Sequence, residues 1–319
     1  MIQFAIEKAN RVLVIAHIDP DGDAIGSLTA VGQAMQQLGK RVTLACDDAV
    51  PQRFHYLPLA GDVRRSPKDT LYDLVIAVDC ADESRMGWAY AALPEPKPTL
   101  ANIDHHVTNS RFGAFNVVEP DASSTAEILC RFLDEIGVTM TRGIADSLLT
   151  GIVTDTIGFR TTNVTAATLR AAAGLVDCGA DIADISLRAL HRRPLATARM
   201  WGLGLGRMQF QDGLLWTTIG RDEMRRAGVE GSPSSSGLVN FLSDVEGVAI
   251  GAVISEMADE TVRVGMRSVR PYNVAEVAMQ LGGGGHVLAA GCTLDGPLER
   301  AEAIVVAACL DAIRRQRPR

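Results

Sequence analysis

The strongest constraint on this chain is a series of short apolar runs separated by stretches with helical periodicity. RVLVIAH (11–17), RVTLAC (41–46), LYDLVIAVDC (71–80) and TLANID (99–104) are short and mostly β-branched, and they read as strands. DAIGSLTAVGQAMQQLG (23–39), SSTAEILCRFLDEIG (123–137), TRGIADSLLTGIVTDT (141–156) and VTAATLRAAAGLVDCG (164–179) read as helices. Gly39 supplies a helix stop, and Ser124 with Glu127 three residues later fits a capping box. Strands alternating with helices imply βαβ units, hence an α/β fold with a mostly parallel sheet flanked by helices.

The second half changes character. Residues 213–220, 248–257 and 261–269 alternate as strands do, and 237–245, 273–282 and 297–316 have helical periodicity. GSPSSSG (231–237) reads as a flexible loop or helix lead-in, and Pro194 interrupts a helical stretch at 181–207. A chain of 319 residues suits two domains. We place the first at 1–190, a helical linker at 191–207, and a smaller α/β domain at 208–319, with the active site expected in the cleft between them.

Composition excludes some functions. Aromatic residues make up only 5% and the net charge is −7, which argues against tracking long nucleic acid by base stacking or a basic face. No run of about 18 apolar residues suggests a membrane span, and the first residues lack a signal-peptide pattern. The six cysteines are scattered without a CxxC pair, as reduced thiols of a cytoplasmic protein would be.

The chemistry lies where the acids and imidazoles fall. His17, Asp19, Asp21 and Asp23 follow the first strand, Asp79 ends the run LVIAVD, and Asp104, His105 and His106 end TLANID. Asp155 lies near the end of a helix. Ligands of an open parallel sheet bind beyond the carboxyl ends of its strands, so separate strands deliver carboxylates and imidazoles to one edge. Any one of these aspartates could be a turn former or cap, as Asp23 before its helix illustrates. Crowded together without cations they would repel. The joint pattern reads as a binuclear metal site.

HIDPDGDAIGS (17–27), AVDCAD (77–82), IDHHVTN (103–109) and GIVTDTIGF (151–159) resemble the four motifs of the DHH phosphoesterase superfamily, and GGGGHVLAAG (282–291) resembles the signature of its associated C-terminal domain. The resemblance covers essentially the whole chain and is nearest to the nano-RNase/pAp phosphatase branch, the bifunctional oligoribonucleases and pAp phosphatases. It implies that His17 and Asp21 hold one metal and Asp23, His105 and Asp155 a second, with Asp79 bridging. Carboxylate and imidazole ligands suit Mn2+ and also admit Mg2+. Asp104 would orient a metal-bound histidine, and His106 would face the substrate phosphate or leaving group. Ile18 and Asp19 depart from the branch, which often has Asn before the proline; the change lies outside the expected ligands and bears on substrate fine-tuning.

In the second half, Gly283, Gly284 and Gly285 would let backbone N–H groups approach a phosphate, and His286 would donate to it. Arg267 offers a planar fork suited to phosphate, with Ser268 beside it and Arg160, Arg270 and Asn273 as weaker candidates. A mobile glycine hinge and solvated arginines are the plainer alternatives. The expected activity is two-metal hydrolysis of short RNA oligonucleotides and small nucleotides such as pAp. A cyclic or linear dinucleotide phosphodiesterase, an inorganic pyrophosphatase and a non-cutting nucleotide sensor are the rivals. The resemblance is compatible with a homodimer.

Overall fold

The computed structural model describes residues 2–67, 71–229, 236–257 and 259–317. Residues 231–235 of the Gly/Ser-rich stretch therefore lie outside the described residues. The chain divides into two units, Met1–Arg192 and Arg193–Arg319.

In the first unit β1 (Arg11–Ala16), β2 (Arg41–Ala45), β3 (Leu74–Val78), β4 (Thr99–Asp104) and β5 (Phe115–Val118) form a sheet of order β2-β1-β3-β4-β5, parallel throughout. The central runs are continuously apolar because both faces are covered. Val12, Val14 and Ala16 join the core under the helices Gly22–Gln37, Thr125–Glu135 and Arg142–Asp155. Leu13 and Ile15 face the other way, toward Tyr72, Met86, Ala89 and Tyr90. β5 falls in a segment without a strand signal: its four residues are all half-buried and sit at the sheet edge.

Glycines set how closely the three helices meet. A side chain at Gly26 would run into the Ser147 carbonyl oxygen. A Cβ at Gly151 would lie 2.6 Å from both the Ala126 Cβ and the Asp23 Oδ1. The contact is closed by polar pairs such as Thr29 Oγ1 to Ser147 Oγ at 3.0 Å. Gly151→Val should therefore cost the first unit about 1–3 kcal/mol through overpacking, seen as a lower urea midpoint.

Ser124 caps its helix as expected, accepting from the Glu127 N–H at 3.1 Å. The reciprocal half of the box differs. The Glu127 carboxylate accepts from the Ser123 N–H (3.0 Å) and hydroxyl (2.6 Å) and from the Thr168 hydroxyl (2.8 Å). Buried among these donors, it ties two helices together instead of reaching the Ser124 N–H.

The second unit has a six-stranded sheet of order β10-β11-β9-β8-β7-β6. Its strands are β6 (Gln209–Gln211), β7 (Leu214–Ile219), β8 (Ile250–Glu256), β9 (Thr261–Ser268), β10 (Gly284–His286) and β11 (Ala289–Asp295). β7 and β8 pair in parallel and the other neighbours antiparallel. Val274–Gln280 and Leu298–Gln316 pack on one face. Leu195–Leu205, Arg221–Ala227 and Ser236–Ser243 contribute to a second cluster, so the helix after Pro194 packs within this unit. Among the described residues no helix is long and apolar enough to cross a membrane.

Candidate metal centre

The first sheet aims its site residues from strand ends. His17 directly follows β1 and is 6% exposed. Its Nδ1 lies 2.7 Å from the Ile18 carbonyl and 3.0 Å from Arg85 Nη2, which together fix the ring so that Nε2 faces the carboxylates. That Nε2 lies 3.4 Å from Asp79 Oδ2 and 3.9 Å from Asp21 Oδ1. Asp21 is the N-cap of Gly22–Gln37, its Oδ1 accepting from the N–H groups of Asp23 and Ala24.

Asp79 follows β3 with φ +60, a left-handed conformation that is costly for a non-glycine residue and that recurs at functional positions. Its other oxygen, Oδ1, faces a second set of donors. His105 Nε2 lies 3.7 Å from Asp79 Oδ1, 4.0 Å from Asp23 Oδ2 and 3.6 Å from Asp155 Oδ2. Asp23 comes from the first turn of its helix and Asp155 from the last residue of another. The close crossing at Gly26 and Gly151 brings these two helices together.

The electrostatics show what this arrangement lacks. Burial pushes the Asp23 carboxyl well up, and the facing Asp79, Asp155 and Asp21 push it further. Burial takes Asp155 up to about 7 despite His105. Asp79 goes the other way: burial raises it, but His17, His105 and His106 outweigh that and hold it below the carboxylate range. Burial pulls the His17 imidazole down, and Asp79 and Asp21 more than reverse this. Without further positive charge the acids of the pocket cannot all ionise. Divalent cations suit the donors present, which are carboxylate oxygens and imidazole nitrogens. An ion about 2.1 Å from each donor holds neighbouring donors about 3–4 Å apart. The pairs above, at 3.4–4.0 Å, match that span. Among the described residues no cysteine joins these donor groups; the Cys80 thiol, next in sequence to Asp79, is buried and donates to the Val78 carbonyl at 3.4 Å.

Asp104 takes a partner other than the expected one. Its Oδ1 lies 2.7 Å from His106 Nδ1, while His105 Nδ1 sits 3.3 Å from the Ala122 carbonyl oxygen. A backbone carbonyl thus orients His105, and the carboxylate orients His106. The hydrogen bond to Asp104 takes the His106 imidazole up to about 9 against its partial burial. A protonated His106 carries a second N–H available to a phosphate or leaving oxygen.

Three residues that the sequence did not single out complete the shell. Asn109 donates to Asp104 Oδ2 at 2.5 Å and to the Cys80 carbonyl at 3.0 Å. Thr125 donates its hydroxyl to Asp79 Oδ1 at 2.9 Å. Arg85 donates to the Ile18 carbonyl at 3.2 Å beside His17. Asn109 stands inside the motif IDHHVTN, which was a usable signal; Thr125 and Arg85 carry none in their local sequence.

The second-unit candidates are brought near one another by the β-sheet. β9 and β11 pair Arg267 with Ala289, and β10 and β11 pair His286 with the same Ala289. Burial lowers the Arg267 pKa, and its Nη1 donates to the Met266 carbonyl at 3.1 Å. The GGGGH stretch forms a hairpin rather than a loop or hinge, and part of its glycine content answers to packing. A Cβ at Gly285 would lie 2.6 Å from the Ala289 carbonyl oxygen, and one at Gly283 would overlap Gly291 and Cys292; Gly284 is open. His286 is exposed. The Ser268 hydroxyl is spent on the carbonyls of Tyr272 (2.8 Å) and Val287 (3.3 Å). Asn273 caps Val274–Gln280. Arg270 and Arg160 are exposed, the latter in the turn after Asp155.

Comparison with known proteins follows the same division. Residues 11–152 match the model of the DHH family, N-terminal domain, and residues 230–313 match the DHHA1 domain. The chain is 37% identical over 290 residues to the bifunctional oligoribonuclease and PAP phosphatase NrnA of Thermus thermophilus, covering 89% of this chain and 84% of that protein. It is 24% identical to the Bacillus subtilis protein of the same name, covering 91% of each. An exopolyphosphatase-related protein from Bacteroides fragilis shares the fold with a TM-score of 0.89 at 22% identity, covering 98% of this chain and 95% of that one.

Proposed function

The chain belongs to the DHH phosphoesterase family, in the branch of the bifunctional oligoribonucleases and PAP phosphatases, and from that premise we propose that it hydrolyses short oligoribonucleotides and pAp at a two-metal centre. It is a hydrolase of phosphoesters. His17, Asp21 and Asp79 would hold one divalent ion, and Asp23, His105, Asp155 and Asp79 the other, Mn2+ or Mg2+. When bound, such a pair supplies an activated water and neutralises charge on the phosphoryl group. The observation that carries this reading is the placement of Asp79, with one oxygen 3.4 Å from His17 Nε2 and the other 3.7 Å from His105 Nε2.

The protein's own groups do the rest. The hydrogen bond to Asp104 favours the protonated form of His106, whose other ring N–H could donate to the leaving oxygen or a phosphate oxygen. In the second unit Arg267 and His286 are read as contacts to a further phosphate of the same substrate, with the open backbone at Gly284 beside them. The half-buried Arg267 guanidinium has planar N–H donors suited to bidentate contact with a phosphate. Scattered cysteines, all free thiols, accord with a cytoplasmic setting.

The test is a substrate panel with Mn2+: dinucleotides, pentanucleotides, a long RNA, pAp, cyclic dinucleotides and pyrophosphate. Turnover of di- to pentanucleotides and pAp is expected. Protein that leaves both untouched, or prefers cyclic dinucleotides or pyrophosphate, contradicts the assignment. His286→Ala should raise KM for pAp roughly tenfold to a hundredfold, the worth of one charge-assisted hydrogen bond, and leave the manganese content unchanged.

A further inference from the structure

We propose that Thr125 is a positioning residue that fixes the spacing between Asp23 and Asp79 and so sets the geometry of the pocket around His105. This rests on the reading of those carboxylates as metal ligands. Thr125 is the first residue of the helix Thr125–Glu135 and is 0% exposed. Its backbone N–H donates to Asp23 Oδ2 at 2.7 Å, and its hydroxyl donates to Asp79 Oδ1 at 2.9 Å. These are the same two oxygens that lie 4.0 Å and 3.7 Å from His105 Nε2. The next N–H, that of Ala126, takes the other Asp23 oxygen at 3.0 Å. One residue thus touches carboxylates that arrive from a helix and from a strand end.

The helix itself does not need this hydroxyl. Ser124 already caps it through the Glu127 N–H, and a threonine in the first turn has no capping duty once the cap position is filled. The hydroxyl is directed instead to a residue 46 positions away. The donor also decides which lone pair of Asp79 Oδ1 is occupied and which stays open toward His105. Partners of this kind, which hold a ligand without touching the ion, govern affinity strongly.

The two backbone donors to Asp23 are present with Val, Ser or Ala at this position, so the hydroxyl can be tested alone. Thr125→Val keeps the branched shape and removes the donor; Thr125→Ser keeps the donor and removes a methyl. Manganese titration followed by the electron paramagnetic resonance signal of the free ion reads the affinity directly, without turnover. The Val variant should bind one ion about tenfold to a hundredfold more weakly than the wild type, with the other ion less affected, and the Ser variant should return to near the wild-type curve. A Val variant that titrates as wild type overturns the proposal, as does a Ser variant as weak as Val. A wild-type protein that takes up no manganese overturns the metal reading beneath it. Should the Val variant lack the wild-type circular dichroism, Thr125→Ala against Thr125→Ser carries the same comparison.

Discussion

Asp79→Ala protein is expected to lose hydrolysis of every substrate by about a thousandfold or more, since a pair of bound ions supplies several kcal/mol of transition-state stabilisation at about 1.4 kcal/mol per tenfold. The uniformity across substrates is the informative part. Asp79 is 2% exposed and faces donors on both sides, His17 on one and His105 with His106 on the other. In the proposed ligand sets its removal takes away the carboxylate common to both, whereas a change at His286 would alter only the proposed contact to one part of the substrate. Metal analysis of the same variant separates chemistry from folding. It should retain fewer than two ions per chain, while Asp79→Asn, which keeps the shape and a carbonyl oxygen, should lose less metal than Ala. An Asp79→Ala protein that still carries a full pair of ions contradicts the bridging role even if its activity is gone.

The second large effect concerns stability. Stripped of metal, the first unit should unfold more readily as pH rises from 6 to 9, and manganese should remove or reverse that trend. The sign follows from the two groups whose positions are clearest. Burial raises Asp155 to about 7, above its unfolded value near 4. An acid raised in the fold weakens the fold above the unfolded value, and this penalty grows until pH passes about 7. His106 is raised to about 9 by Asp104. The stability it adds is fully present below about 6.5 and is lost as pH rises through 9. Both therefore act in the same direction across the window. Asp79 acts at the acid end, where its depressed pKa adds stability that is lost as the carboxylate protonates. Metal binding reverses the preference by rewarding ionised carboxylates and neutral imidazoles, and it releases protons as it does so. At about a thousand times its dissociation constant each ion adds about 4 kcal/mol. That is a rise of about 8–16 °C in the midpoint of a unit this size, at roughly 2–4 °C per kcal/mol. Scanning calorimetry with a chelator and with Mn2+ at pH 6 and pH 9 checks it; parallel shifts with pH in both conditions contradict it.

How far the sequence could be read depends on whether a signal was local. β1, β3 and β4 announce themselves because strands buried on both faces must be apolar throughout. The acids at their ends stand out because a parallel sheet delivers every strand end to the same edge. β5 escapes because a short, half-buried edge strand needs no such pattern. β10 and β11 escape because glycines usually signal loops, whereas here Gly283 and Gly285 let one strand lie close on the other. Glu127 was legible as an acid at the right offset from Ser124, but the Ser123 and Thr168 hydroxyls that claim it come from outside the box geometry. The pairing of Asp104 with His106 rather than His105 depends on how the backbone turns after β4, which motif spacing does not contain. Thr125 and Arg85 meet the site only through tertiary contact, and nothing near them in the chain marks them out.

Diffraction from crystals grown in manganese, with anomalous scattering to place the ions, tests the two-metal centre most directly. Two peaks about 3.5–4 Å apart are expected, with Asp79 touching both, His17 on one side and His105 on the other. A single peak, or peaks that leave Asp79 without a metal contact, would contradict that centre.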